Sequence, residues 1–316
     1  MIRFGRLAVA ALMLAASAAR AQEANYLLPI AQLELRLRES PFRIIDYRGA
    51  RAEGDRTQRI TLEFPDSVLF AAQLARAPPG GGTFNNQPRY ELAAYELQKL
   101  FLEPDEYVVP PTVVRAFPLA WLRQYDPYAS ATFDRAASVV IVLKYWLLQV
   151  TPEDFFDRDR ARRDTVYARY LGNFNIVTYL IRHNDSNMGN FLISESPDKP
   201  RVFSVDNGVA FESEVSDRGH EWRDLRVERL PGATIERLRR LTPERLREVL
   251  AVLVQFEVQN DLLVAVSPGT NLSEGRGVRR SGSVVQFGLT AREIRGVADR
   301  LRNLLKDVDE GKLKVF

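Results

Sequence analysis

The sequence predicts an α+β fold of two lobes, in which a strand-rich first half is followed by a helix-rich second half. Up to about Val150, short segments alternate apolar and polar side chains, which is typical of strands. From Thr151 onward, apolar side chains recur at helical spacing. Because strands and helices are separated along the chain in this way, we expect lobes at 22–150 and 151–316 with a ligand cleft between them.

Residues 1–21 have the pattern of a signal peptide. Two arginines precede an apolar run over residues 7–16, and the segment ends in the small-x-small pattern Ala19-Arg20-Ala21. The apolar run is shorter than the roughly 20 residues that a membrane-spanning helix needs. We therefore expect cleavage, a periplasmic or secreted protein, and no integral membrane segment after cleavage.

Composition excludes several classes of function. The 316 residues include no cysteine, which rules out disulfides, thiolate catalysis and thiolate metal sites. The formal charge of +3 arises from 44 basic and 41 acidic residues, and three of the bases lie in residues 1–21. The remaining chain therefore carries no net charge, so we expect no nucleic-acid partner.

The first lobe opens with three strand-like segments. RIIDY and RITLEF alternate apolar and polar side chains, and VLFAAQLA continues with an apolar run. Gly49 and Gly54 of GARAEG predict a turn between the first two strands. This spacing is similar to the start of a phosphate-binding Walker loop. That interpretation fails because Asp55-Arg56 stands where the loop requires Lys followed by Ser or Thr.

One helix over residues 88–102 is expected next, after the breaker cluster APPGGG. Leu92 and Tyr95 recur at helical spacing, Pro88 stands where the first turn of a helix tolerates proline, and Pro104 ends the pattern. The segments VVPPTVVRAF and ASVVIVLKYWLLQV then predict the remaining strands of the first lobe.

The second lobe is expected to be mainly helical. The segments TPED from Thr151 and TARE from Thr290 resemble capped helix starts. Apolar periodicity predicts a helix over 166–181 and one or two amphipathic helices over 234–266. The Gly/Ser-rich, basic segment 267–284 is interpreted as an exposed loop, with an anion site as the alternative.

Three polar residues follow the 166–181 helix at a spacing that suggests chemistry. Asp185 and Asn190 lie five residues apart, and Asp206 begins an Asp-Asn-Gly triplet after the strand-like run PRVFSVD. Their oxygens are hard ligands that suit Mg²⁺ or Mn²⁺. Phosphoryl transfer uses such a cation together with a carboxylate that positions the attacking hydroxyl. A hairpin from Phe191 would bring Asn190 and Asp206 together; the alternative is two turns, which Asp and Asn also favour.

The segment TYLIRHNDSNMGNFLISESPDKPRVFSVDNGVAF resembles the atypical kinases, in which D-R-H-x-x-N and a later D-x-G mark the site. That group includes phosphoinositide kinases, HipA-like kinases and the secretory-pathway kinases of the Golgi casein kinase and xylosylkinase type. The last are the most similar, because Asp-Asn-Gly matches their metal triplet in full. RITLEFPDSVLF, RYELAAYELQKLF and VVPPTVVRAF are similar to the first lobe of these kinases. The resemblance spans roughly residues 40–215 and points to an exported bacterial branch.

The resemblance implies a two-lobed protein-kinase-like fold, with the catalytic and metal hairpin at 183–211. Asp185 would be the catalytic base, and Asn190 and Asp206 would hold Mg²⁺ or Mn²⁺ with ATP. Glu91 would orient a nucleotide-binding lysine or contact the metal. The acceptor would be an unknown hydroxyl of a protein, sugar or lipid.

Two departures from the family pattern concern basic residues. The third strand has no lysine: Gln73 stands near the expected position and Arg76 is the nearest cation, so these two are the candidate phosphate contacts. Lys144 could fill the gap from another strand. The D-R-H segment is replaced by Asp185-Ser186-Asn187. His183 before it is interpreted as a neutral surface residue, with a hydrogen-bond donor that supports the site residues as the alternative.

Three functions are compatible with this pattern. The first is an exported kinase-like phosphotransferase. The second is a catalytically impaired pseudokinase that binds a nucleotide, a metal or a partner, which the absent lysine favours. The third is a metal-dependent phosphoesterase or an unrelated scaffold protein.

Overall fold

The computed structural model describes residues 24–48, 57–84 and 86–316. The expected signal peptide over 1–21 and the expected turn from Gly49 to Gly54 lie outside these ranges. In the described part of the chain, no helix combines the length and the apolar character needed to cross a membrane.

A five-stranded antiparallel sheet forms the first lobe, after an N-terminal helix α1 over Ile30–Glu39. The strands are β1 (Arg43–Arg48), β2 (Thr57–Glu63), β3 (Leu69–Arg76), β4 (Thr112–Pro118) and β5 (Ser138–Tyr145). Their order in the sheet is β1-β2-β3-β5-β4. The segments RIIDY, RITLEF and VLFAAQLA thus form strands, as the alternation of their side chains predicts.

The helices of the first lobe differ from the single helix expected over 88–102. Helix α2 begins at Pro88 and ends at Gln98, and a four-residue helix α3 covers Leu119–Leu122. Helix α1 was not expected, because its leucines alternate with polar residues as they would in a strand. Two of these leucines, Leu33 and Leu37, are nevertheless one helical turn apart and fully buried.

The second lobe begins with a short strand and two helices. Its elements up to the hairpin are β6 (Val150–Thr151), α4 (Arg158–Arg163), α5 (Thr165–Leu180), β7 (Phe191–Ser194) and β8 (Val202–Ser204). The helix expected from Thr151 begins only at Arg158, because Asp154 has a φ of 53° that interrupts a helix. Asp157 and Asp164 accept hydrogen bonds from backbone N–H groups in the first turns of α4 and α5 and so act as their N-caps.

The C-terminal part contains a four-stranded sheet that was not expected from the sequence. Its elements are β9 (Arg229–Leu230), α6 (Gly232–Arg239), α7 (Pro243–Leu250), β10 (Val254–Gln259), β11 (Leu262–Val266), β12 (Val278–Ser281), β13 (Val284–Phe287), α8 (Ala291–Asp309) and β14 (Lys314–Val315). The sheet has the order β11-β10-β13-β12. One or two helices were expected over 234–266, and two form, α6 and α7, but they end at Leu250. The rest of this segment forms β10 and β11, with Asn260 and Asp261, both with positive φ, in the turn of a β-hairpin. The interpretation of 267–284 as a loop is wrong at its end, where β12 and β13 form a hairpin around Gly282.

This C-terminal sheet packs on one face of the first-lobe sheet. Phe256 and Phe287 form a buried cluster with Val140 and Val142 of β5. A hydrogen bond joins the two sheets as well, since the N–H of Leu263 donates to the side-chain Oγ of Ser138 at 3.0 Å. Side chains alternate across a strand, so the face that β5 presents to this cluster is also the face that carries Lys144.

Candidate active site

The hairpin of β7 and β8 brings Asn190 and Asp206 side by side. Phe191 pairs with Ser204 across the hairpin, which places Asn190 opposite Val205. The N–H of Val205 donates to the carbonyl oxygen of Asn190 at 2.9 Å. The expected hairpin therefore forms, and Asn190 and Asp206 lie at the same end of it.

Asp185 lies in the turn between α5 and this hairpin and is only 7% exposed. Its Oδ1 accepts a hydrogen bond from the N–H of Asn187 at 3.3 Å. Asn190 Nδ2 donates to the carbonyl oxygen of Asp185 at 3.3 Å. Arg218 Nη1 lies 4.0 Å from Asp185 Oδ2 and its side chain is largely exposed. The carboxylate is thus fixed in place, with the exposed guanidinium of Arg218 at its outer side.

His183 is fully buried and connects Asp185 to Asp206, contrary to the expectation of a surface histidine. The N–H of Asp185 donates to His183 Nδ1 at 3.4 Å, so the proton of the neutral ring is on Nε2. His183 Nε2 then donates to the carbonyl oxygen of Asp206 at 2.8 Å. Burial lowers the pKa of His183, which keeps the ring neutral as this arrangement requires. The imidazole holds the backbone of the two aspartates at a fixed separation.

Lys144 and Glu91 form a buried ion pair on the other side of Asp206. Lys144 Nζ lies 2.9 Å from Glu91 Oε2, and Lys144 is 2% exposed. Lys144 Nζ also donates to the carbonyl oxygen of Val205. Glu91 Oε1 accepts a hydrogen bond from the N–H of Asn207 at 3.2 Å. The pair therefore ties α2 and β5 to the backbone on both sides of Asp206.

The environment of Glu91 is poor for a negative charge. Burial raises the pKa of Glu91 to about 7, and the charge of Asp206 adds to the rise while Lys144 opposes it. A cation bound at Asp206 would cancel the repulsion between these two carboxylates. The chemistry of the pair thus fits a site that holds positive charge.

The two residues first considered as phosphate contacts have different surroundings. Gln73 lies directly opposite Lys144 in the pairing of β3 with β5, so both side chains are on the same face of the sheet. Arg76 pairs instead with Asp126, at 2.7 Å. The structure thus places Gln73 on the same face of the sheet as Lys144, while Arg76 is paired with Asp126.

The oxygen atoms of Asn190 and Asp206 fit a hard divalent cation. Asn190 uses Nδ2 for its bond to Asp185, which leaves Oδ1 without a protein partner among the described residues. Asp206 Oδ1 accepts from the N–H of Gly208 at 3.2 Å, and Oδ2 has no partner there either. No group of three or more His, Asp or Glu residues in the described chain could hold a metal. Mg²⁺ commonly binds through one or two protein groups, with waters and phosphates as its other ligands.

Ser186 and Trp222 were not assigned a role from the sequence, but they fix the segment beside Asp185. The N–H of Trp222 donates to Ser186 Oγ at 3.2 Å, and the N–H of Ser186 donates to the carbonyl oxygen of Gly219 at 3.0 Å. The indole packs edge-on against Phe174, with ring centroids 4.9 Å apart. Arg218 is consequently held next to Asp185. In the sequence, the contact between Trp222 and Ser186 is indicated only by an aromatic residue that follows a polar loop. This pattern is common in proteins and does not identify a particular contact.

Comparisons with known proteins bear on the fold. No protein-family model matches the chain, and no curated protein matches its sequence. The crystal structure of the Golgi casein kinase aligns with it at 15% identity and a TM-score of 0.50, over 89% of this chain and 76% of that one. The structure of hydra Fam20 with sugar aligns at 14% identity and a TM-score of 0.48, over 89% of this chain and 88% of that one.

At this level of identity, similarity to a solved structure shows the fold and not the activity. The Golgi casein kinase is one of the secretory-pathway kinases that the sequence motifs resemble, and its alignment extends over most of the described chain. The resemblance seen in the sequence is therefore confirmed at the level of structure, and the chain has an α+β, kinase-like fold.

Proposed function

We propose that this chain is a kinase-like phosphotransferase, which transfers the γ-phosphate of a nucleotide to a hydroxyl group with the help of Mg²⁺ or Mn²⁺. The buried ion pair of Lys144 with Glu91 is the observation that carries the proposal. Protein kinases require a lysine–glutamate pair of this kind together with an aspartate at the metal. Here the pair is bonded to the backbone on both sides of Asp206.

Lys144 is proposed as the residue that contacts the nucleotide phosphates, and Glu91 as the residue that orients it. An ammonium group is a compact point charge that suits a phosphate oxygen. Gln73, opposite Lys144 on β3, is proposed as a neutral second contact. Arg76 is not given this role, because its guanidinium pairs with Asp126.

Asp185 is proposed as the catalytic base. Its carboxylate would accept a hydrogen bond from the acceptor hydroxyl, orient the oxygen for attack on the γ-phosphate and take up the proton as the new bond forms. Asn190 Oδ1 and Asp206 would hold the metal. A bound Mg²⁺ or Mn²⁺ supplies charge neutralisation at the phosphate oxygens. His183 would keep the backbone of the base at a fixed distance from that of the metal ligand.

The pseudokinase alternative has less support. Its argument from sequence was the absence of a lysine on the third strand. A lysine from β5 in contact with Glu91 supplies the missing charge. We therefore propose the active phosphotransferase rather than the impaired binding module.

The location and the acceptor remain parts of the proposal. The pattern of residues 1–21 supports export to the periplasm or the medium, with cleavage after Ala21. N-terminal sequencing of the C-terminally tagged protein after fractionation should give Gln22 as the first residue; a chain that keeps Met1 and stays in the cytoplasm contradicts export. For the acceptor, we propose only a hydroxyl of a protein, sugar or lipid.

Nucleotide binding is the first experimental test. The wild-type protein should show a rise in melting temperature with Mn²⁺ and ATP together, and Asp206→Ala should lose it. Arg76→Ala is the matched control, since it removes a cation of the same lobe that is bonded elsewhere, and it should keep the shift. If neither Mg²⁺ nor Mn²⁺ with any nucleoside triphosphate changes the melting temperature, the proposed function is contradicted.

Phosphate transfer is the second test. Label from γ-³²P-ATP should appear on one member of a panel of protein, sugar and inositol-lipid acceptors, and Asp185→Ala should abolish the transfer while it keeps the nucleotide-dependent thermal shift. Transfer by Asp185→Ala at the wild-type rate would contradict the role of this residue as the base.

A further inference from the structure

Helix α2 carries Glu91 in its first turn, and that turn is bonded to the C-terminal helix α8. Arg89 Nη1 lies 2.6 Å from Glu293 Oε2, and Arg89 Nη2 lies 2.9 Å from Glu293 Oε1. This is a bidentate pair, in which the two guanidinium nitrogens face the two carboxylate oxygens. The hydroxyl of Tyr90 donates to Glu293 Oε1 at 2.5 Å. The two residues directly before Glu91 thus share one acidic partner from a distant part of the chain.

This bridge is buried and shaped by its surroundings. Arg89, Tyr90 and Glu293 are each less than 10% exposed. A Cβ atom at Gly277 would collide with the guanidinium of Arg89, so the C-terminal sheet covers the bridge closely. Arg89 Nη1 also approaches the carbonyl oxygen of Gly288 at 3.4 Å. The bridge is therefore enclosed on the side that the C-terminal sheet provides.

Glu293 is also held rigidly in its own helix. Its side chain accepts a hydrogen bond from the N–H of Thr290 at 2.7 Å, and Thr290 Oγ1 accepts one from the N–H of Glu293 at 3.2 Å. This capping box fixes the start of α8. The bidentate pair transmits that fixed position to the first turn of α2.

We infer that the Arg89–Tyr90–Glu293 bridge is a positioning device, through which the C-terminal segment 254–309 holds α2 so that Glu91 stays paired with Lys144. A buried ion pair is a costly way to gain stability, and its best-attested use is to specify one arrangement over others. In protein kinases the position of the helix that bears the glutamate controls whether the lysine–glutamate pair forms. Here the helix is fastened by contacts within the chain, and the lysine–glutamate pair is formed.

The expectation that the bridge affects nucleotide binding rests on the proposed function. The expectation that the bridge fixes the position of Glu91 does not. The N–H of Asn207 donates to Glu91 Oε1, so its exchange with solvent deuterium reports directly on the position of Glu91. Hydrogen exchange of peptides over 88–94 and 202–208 can therefore be followed whether or not the protein binds a nucleotide.

The experiment measures hydrogen exchange in Arg89→Met and Gly277→Ala, and compares it with a variant in which a different ion pair is broken. Arg237→Met is the matched control, because Arg237 Nη2 lies 2.5 Å from Glu106 Oε2 and joins the C-terminal part to the first lobe without touching α2. Exchange in 202–208 should increase at least about tenfold in Arg89→Met, which corresponds to about 1.4 kcal/mol of local stability. Gly277→Ala should raise it in the same direction by displacing the guanidinium. Arg237→Met should leave these peptides at the wild-type rate, even where it lowers the melting temperature.

A conservative variant separates geometry from charge. Arg89→Lys keeps the positive charge but cannot make two parallel bonds, so its exchange rate should lie between those of the wild type and Arg89→Met. Binding of Mn²⁺ with ATP should weaken in the same order. Wild-type exchange in 202–208 for both Arg89→Met and Gly277→Ala overturns the inference. If exchange responds as described and the wild-type protein binds no nucleotide, the bridge stands and the proposed function fails.

Discussion

Lys144, on strand β5, pairs with Glu91, on helix α2, at a distance of 2.9 Å between Nζ and Oε2. The residue directly opposite it on β3 is Gln73. Opposed residues of antiparallel strands have Cβ atoms about 4.5–5.5 Å apart and point to the same face. A lysine on β5 can therefore place its ammonium group where a lysine at position 73 would place it.

Swapping Lys144 and Gln73 between the two strands should restore the phosphate-transfer activity that is lost when Lys144 alone is replaced. Lys144→Gln should lower phosphate transfer by about 10²–10³-fold, the loss typical of one preorganised donor at a reacting phosphate or carbonyl. The double variant Gln73→Lys/Lys144→Gln should recover at least part of that activity, because the ammonium group returns to the same face opposite Glu91. Kinetics with γ-labelled ATP measure both.

The control for this exchange is Gln73→Lys alone, which adds a second cation beside Lys144 and should not raise activity. Equal activity in Lys144→Gln and the wild-type protein would show that another group contacts the phosphates.

Asp185→Asn should separate binding from chemistry. The amide keeps the size of the side chain and the hydrogen bond from Asn187, but it cannot take up a proton. We expect kcat to fall by about 10²–10⁴-fold, the usual contribution of a general base, while KM for ATP stays within a few-fold of the wild-type value. A variant that loses nucleotide affinity and kcat together would place Asp185 at the nucleotide instead.

Local patterns predicted most of the hairpin that carries Asn190 and Asp206. The periodic helix before Asp185, the strand-like run before Asp206 and the turn residues between them are all local signals within residues 166–206. Alternation along PRVFSVD predicts Asp206 near a strand end, and β8 ends two residues before it, at Ser204. The pairing of Phe191 with Ser204 follows from this short connection.

Long-range pairing explains what local patterns in the sequence could not decide, including whether Lys144, Gln73 or Arg76 faces Glu91. Lys144 reaches Glu91 only because β5 lies between β3 and β4, an order that local periodicity does not specify. The C-terminal sheet was missed although VQFEVQ alternates apolar and polar side chains as a strand does, because the helical pattern upstream was extended through it. LLVAV is a short apolar run, which fits a helix or a strand equally well. Burial of His183 likewise depends on segments that meet only in the folded chain.

His183→Ala should weaken both stability and catalysis. The substitution leaves the N–H of Asp185 and the carbonyl oxygen of Asp206 without their partner, and each unsatisfied buried group costs about 1–3 kcal/mol. We expect a lower free energy of unfolding in urea and a lower kcat, because the two aspartates lose their fixed separation. His220→Ala is the control: it removes an exposed imidazole, and surface changes of this kind stay within about 0.5 kcal/mol. Equal stability of the two variants would contradict the structural role of the buried imidazole.

The buried bridge to α2 should make stability depend on pH through Glu293. Burial by itself raises the pKa of Glu293, but the hydrogen bonds and charge of Arg89 outweigh it and hold the pKa below its ordinary value of 4.5. Arg279, also buried nearby, favours the ionised carboxylate in the same direction. A carboxylate with a lowered pKa in the folded state binds fewer protons there than in the unfolded chain. Its contribution to stability is therefore complete above about pH 4.5, and it is lost as the pH falls through the folded-state pKa.

Glu293→Gln should remove this dependence. We expect the urea midpoint of the wild-type protein to fall more steeply than that of Glu293→Gln between pH 5 and the acid limit of folding, and the two curves to run parallel above pH 5. Arg89→Met should flatten the same region, because it removes the group that lowers the pKa. If the urea midpoint falls with equal steepness below pH 5 in the wild type and in both variants, Glu293 is not paired with Arg89 in solution.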